Sequence, residues 1–144
     1  MRFMVMVRAT KQSEEGGMPS RELVDAMMKY NNDLMQAGIL LAGDGLQPSS
    51  KGARVKFTAD GKKTLVDGPF AETKELIAGF WMWKVKSREE AMQWAMKCPP
   101  PFENQPGEIE LRQVFEPEDF AGTMTDEEIA SERKMFEDAA KRNA

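Results

Sequence analysis

The predicted fold is α+β: a ferredoxin-like βαββαβ unit with an inserted hairpin and an appended C-terminal helix. Three observations predict it. Short β-favouring runs alternate with two stretches of helical spacing, a turn pair at Asp60-Gly61 splits two further short runs, and a capped, charged amphipathic segment follows the last strand.

Each element has a local reason. Residues 2–8, RFMVMVR, are apolar on both alternating faces and predict a central strand covered twice. KQSEEGGMP is polar and Gly-containing, and predicts a loop. Ser20 can cap a helix carrying Leu23, Met27, Tyr30 or Asn31, and Leu34 on one stripe, with Gly38 as its stop. Residues 39–42 begin a second strand that runs into a Gly43-Asp44-Gly45 turn region. Residues 53–57 and 63–66 predict a hairpin about Asp60-Gly61. In LIAGFWMWKVK, Phe80, Met82 and Lys84 share one face, and Trp81, Trp83 and Val85 the other. Ser87-Arg88-Glu89-Glu90 reads as a capping box for a helix through Ala91, Trp94 and Ala95, which must stop at Pro99-Pro100-Pro101. From Glu108 to Phe115, Ile109, Leu111 and Phe115 fall inward, with Glu110 and Arg112 together on the other face. Phe120-Ala121-Gly122 is a loop. Thr125 to Glu128 is a second capping box, opening a helix with Ile129 and Phe136 on one stripe. Two helices cover one face of such a sheet, so the aromatic and methionine-rich other face predicts a homodimer packed sheet to sheet.

Composition narrows the chemistry. The chain has 144 residues, enough for one domain with its own core. No stretch approaches a membrane span, and the opening MRFMVMVRA is too short and strand-like for a secretory signal. The single Cys98 forms no internal disulfide, which fits a cytoplasmic protein. A net charge of −4 with no basic run argues against direct nucleic-acid binding. There is no histidine. That removes Ser-His-Asp and Cys-His arrangements and most zinc and non-haem iron sites. No metal or cofactor is expected, and acid-base work would fall to Asp, Glu, Lys, Tyr30 or water.

The segment DGPFAETKE (residues 67–75), with LLAGDGLQPS before it and the Gly79-Phe80 strand and IELRQV after it, resembles the DGPF branch of the YCII-related domain family. The resemblance runs from about residue 2 to residue 116, so residues 1–117 are read as the domain and 118–144 as a C-terminal helical extension. It implies a dimeric α+β barrel. Members of this branch mostly lack an assigned reaction, and some are associated with extracytoplasmic-function sigma factors, which implies an accessory role in transcription regulation. A better understood branch resembles an enzyme with a histidine on the first helix and an aspartate near the end of the second. This sequence has neither, since Lys97-Cys98-Pro99 occupies the second place.

The candidate site follows from the same segment. On a structural reading, Asp67 caps the turn, Gly68 supplies unusual backbone angles, Pro69 sets the exit and Phe70 plugs the core, while Glu72, Lys74 and Glu75 pair with one another in water. On a functional reading, these residues and Arg112 ring a cleft of the barrel that binds an undetermined small molecule, with Asp67, Glu72 or Lys74 as catalytic candidates. Arg112 beside Glu110 is a surface ion pair, a dimer-contact pair or a clamp on an anion. Trp81 and Trp83 are core, interface or pocket wall. Asp44, Arg54 and Tyr30 are further lining candidates, and Cys98 reads as an inert packed thiol.

Overall fold

Alternation decides which side of the sheet is filled. The computed structural model describes residues 1–144. It places Arg2–Arg8 (β1) at the centre, with Phe3 and Val5 buried and Met4 and Met6 on the opposite face. Ile77–Lys84 (β5) pairs antiparallel with it, Phe3 opposite Trp83 and Val5 opposite Trp81. Ile109–Gln113 (β6) pairs with the other edge of β1, and Leu40–Gly45 (β2) with the other edge of β5. The order is β2-β5-β1-β6, all antiparallel. Ala53–Phe57 (β3) and Lys63–Asp67 (β4) form a separate two-stranded ribbon turning at Gly61.

Two helices cover one face. Arg21–Gln36 (α2) starts where the Ser20 hydroxyl accepts the Leu23 N–H, and its chain reverses at Gly38, where φ is +73°. Arg88–Met96 (α3) starts at Ser87 in the same manner. Between them and the sheet lie Phe3, Val5, Tyr30, Leu34, Trp81, Trp83 and Ala91. Tyr30 joins the two helices, its hydroxyl donating to the Trp94 carbonyl at 2.6 Å. Its ring meets Trp81 and Trp83 edge-on, with centroids 5.8 and 6.5 Å away. Truncating a side chain this deeply packed costs about 2–5 kcal/mol. The opposite face keeps Met4, Met6, Phe80 and Met82 together across β1 and β5.

Four local expectations are corrected. KQSEEGGMP is not all loop, because Thr10 and Ser13 cap each other reciprocally and wind Lys11–Glu14 into a short helix, α1. Gly43-Asp44-Gly45 is not a turn but continues β2, each residue paired with β5. Glu90 does not close the box on Ser87, since its carboxylate accepts the Lys86 N–H instead. Phe115 does not point inward; β6 ends at Gln113, and Phe115 is 70 % exposed, with its ring centroid 5.1 Å from that of Phe120.

The C-terminal helix, Asp126–Arg142 (α4), has the full Thr125–Glu128 box. It buries only Ile129, and Phe136 is exposed, so the expected stripe is covered at one end only. No helix is long and apolar enough to cross a membrane.

Candidate functional site

The DGPF loop is held by close backbone contact. A Cβ on Gly68 would stand 1.8 Å from the Ser49 carbonyl oxygen and 2.7 Å from its carbon. Glycine is required here by space, and φ is not positive, so the expectation of unusual angles is replaced by one of close approach. The Gly68 N–H donates to the Gly52 carbonyl at 2.9 Å, and the following peptide to Pro69 is cis. Phe70 does not enter the core cluster; it is half-buried, with the Arg54 guanidinium 3.8 Å from its ring centroid. Its N–H donates to the Ser49 hydroxyl at 3.0 Å. That hydroxyl in turn donates to the Glu14 carboxylate, which also accepts the Ser49 N–H at 3.0 Å. A chain of hydrogen bonds thus runs from the loop, through Ser49, to α1.

The charged residues of the segment do not pair as expected. The Asp67 side chain forms no hydrogen bond or ion pair, so it does not cap the turn; Glu72 is equally free, and both are exposed. Lys74 contributes its carbonyl to Arg8, and Glu75 lies 4.0 Å from Arg54. Arg112 sits opposite Met4 on β1, four residues along the strand from Arg8.

A cleft of about 740 Å³ opens elsewhere, between the first half of α2 and the β2 end of the sheet. Its floor lacks side chains at two facing positions. Gly45 and Gly79 face each other across β2 and β5, in the row that continues to Val7, on the helix-covered side. The space lies at Gly45, where a Cβ meets nothing within 4 Å; at Gly79 a Cβ would stand 3.0 Å from the Asp44 carbonyl oxygen, so that glycine lets the strands approach. One row along, Gly43 lets the Trp81 indole lie against the strand, since a Cβ there would be 2.7 Å from Trp81 Cδ1. The indole N–H then donates to Asn31 Oδ1 at 2.8 Å. Met27 and Leu23 from α2 and Phe102 from the loop after α3 complete apolar walls.

Gln12 and Ser13 of α1 also line the cleft, so the Ser49–Glu14 bonds brace one of its walls. Two lining residues carry charge, Asp44 and Glu103. Glu103 accepts the Ser20 N–H at 3.0 Å, at the start of α2, and hydrogen bonds from the Ser20 hydroxyl and N–H hold its carboxyl below the usual range. The Asp44 side chain has no hydrogen bond or ion pair; opposite Phe80 in the ladder, it lies on the sheet face away from the helices. No three His, Cys, Asp or Glu side chains converge in a way that could hold a metal ion.

Residues 1–118 match the family model described as the YCII-related domain. The chain belongs to that family. A similar protein from Rhizobium meliloti (strain 1021), described as uncharacterized, is 34% identical over 89 residues, which is 62% of this chain and 68% of the relative.

Within this YCII-related domain the sequence-derived site residues and the cleft are separate. None of Asp67, Gly68, Pro69, Phe70, Glu72, Lys74, Glu75 or Arg112 lines it. Of the further candidates, Trp81 does, and Asp44 borders it as part of β2 with its side chain on the other face, whereas Arg54 lies over Phe70 and Tyr30 is core. Asn31, Gly45, Gly79 and Glu103 were missed. One signal was available: Gly43, Gly45 and Gly79 recur at strand spacing on what becomes one face.

The buried Tyr30 hydroxyl and the half-buried Cys98 thiol make the YCII-related domain sensitive to alkali. Burial raises the Tyr30 phenol above its ordinary 10.0, and burial pushes the Cys98 thiol from 9.0 up to about 11. The folded state therefore keeps protons that the unfolded chain releases. Their contribution is complete below pH 9, and the Cys98 part is lost between 9 and 11. The urea midpoint should fall across that window, and in Cys98→Ala the fall should begin about one pH unit later. An identical profile in the variant would exclude Cys98 as a cause.

Proposed function

We propose that this YCII-related domain binds a small, largely apolar molecule in the cleft at Gly45 and Gly79 and works as a homodimer. The observation that carries the binding reading is the open cleft of about 740 Å³ over Gly45, beside apolar walls and a few polar groups. That size and character suit a small-molecule site. In this reading the DGPFAETKE loop is framework: Gly68 and Phe70 hold Ser49, and Ser49 holds the helix that forms one wall. Asp67 and Glu72 lie outside the volume, and no catalytic step is assigned to them.

The strand order and the two helices on one face support a ferredoxin-like unit. The apolar group Met4, Met6, Phe80 and Met82 on the other face supports a sheet-to-sheet dimer closing an α+β barrel.

Binding is tested with Nile red, a neutral apolar dye. Its fluorescence should rise on the native protein and stay low on Gly45→Leu, whose side chain fills the space, with little change in melting temperature. Equal enhancement in both proteins would remove the cleft as the site. Light scattering tests the assembly independently: twice the 16.2 kDa chain mass is expected, falling to one chain mass in Met82→Glu.

A further inference from the structure

We infer that the cleft selects an uncharged molecule carrying a carbonyl group on its hydrocarbon, and that the Asn31 side-chain amide is the donor that recognises it. This rests on the cleft being the binding site proposed above. Val24, Met28 and Asn31 follow one another at helical spacing along α2, and all three line the volume. Asn31 is half-buried at the inner end, one row from Gly45 toward the core, where Gly43 lets the Trp81 indole lie against β2. An indole N–H can only donate, so it fixes the amide's orientation. Oδ1 accepts from Trp81 at 2.8 Å, which leaves the NH2 as the branch free to meet a ligand. That NH2 has no hydrogen-bond partner within the chain and is not sealed from solvent. The other polar side chains of the lining are engaged, turned away or out in water. Ser13 is tied to Thr10, Gln12 to Gln105 and Glu103 to Ser20; Asp44 lies on the other sheet face, and Gln47 is exposed. None of the lining residues is Lys or Arg, so a carboxylate entering here would lose water without gaining a counter-charge. An ammonium would bring a donor to a donor. A carbonyl oxygen accepts from the NH2 while the rest of the molecule covers Leu23, Met27 and Phe102.

Four molecules of nearly one shape test this: 4-phenyl-2-butanone, its hydrocarbon isostere isopentylbenzene, 3-phenylpropanoate and 4-phenyl-2-butylamine. Each is titrated against Nile red on the native protein at about pH 8, where the acid and the amine are both ionised. The ketone should bind about tenfold tighter than the carboxylate or the amine. Asn31→Asp keeps an oxygen for the Trp81 N–H but removes the donor. In that variant the ketone should weaken about tenfold, the hydrocarbon should change less than about twofold, and the amine should tighten. On the native protein the Asn31 NH2 proton resonances should move downfield with the ketone and stay in place with the hydrocarbon, a readout that does not depend on the variant's folding. A ketone whose affinity is unchanged in Asn31→Asp, or that leaves those resonances in place, overturns the inference. So does a carboxylate or an amine that binds as tightly as the ketone. In each of these cases, dye binding that Gly45→Leu abolishes keeps the cleft reading standing. If Nile red binds Gly45→Leu as well as the native protein, or no probe displaces it, both the inference and the cleft reading fail.

Discussion

Gly68→Ala should destabilise the domain by about 3 kcal/mol or more, enough to leave much of it unfolded at physiological temperature. The added methyl would stand 1.8 Å from one backbone oxygen and 3.3 Å from a second, that of Gly52. Neither is the end of a flexible side chain, so the loop and the Ser49–Gly52 turn must part. Parting them strains the Gly68 N–H bond to Gly52 and the Phe70 N–H bond to Ser49, and with them the brace on α1. Gly61→Ala is the control. Gly61 has φ of +86° but open space around it, so its substitution costs only the left-handed strain of about 1–2 kcal/mol. Urea melts of both variants decide the matter. A Gly68→Ala protein no weaker than Gly61→Ala would mean that the loop floats free of the turn.

The second large effect is at Trp83, which is fully buried between the sheet and the helices. Trp83→Ala should cost about 3–5 kcal/mol through lost burial and the cavity left behind. Trp83→Phe should cost less than half of that. The Trp83 indole N–H is buried without a hydrogen-bond partner in the protein, a penalty of about 1–3 kcal/mol that phenylalanine removes. Part of the lost contact area is thereby offset. Trp81→Phe provides the contrast, because there the N–H does have a partner, Asn31, which the substitution leaves behind. Trp81→Phe should therefore destabilise more than Trp83→Phe. The reverse order in denaturant midpoints would show that the buried N–H carries no penalty.

Much of the fold was legible because its signals are local. Face assignment in LIAGFWMWKVK needs only the two-residue period of a strand, and Trp81, Trp83 and Val85 are indeed the buried set. Ser20 and Gly38 bound α2 through bonds that span three to five residues. Where the reading slipped, a competing local bond had won, as with Glu90 accepting from Lys86, or a strand had ended early, as before Phe115.

The candidate site was less legible. The charged side chains of DGPFAETKE are exposed, and the segment's strongest constraint is its least chemical residue, Gly68.

Residue order by itself determined the α+β class, the alternation of faces, the helix caps and the exclusion of histidine chemistry. Tertiary structure alone decided that Gly45 and Gly79 meet across two strands, that Phe70 N–H reaches Ser49, and that Glu103 caps a helix 83 positions earlier. The reason is physical. Periodicity and capping are written in neighbours a few residues apart, whereas an empty volume exists only by virtue of which distant side chains fail to fill it.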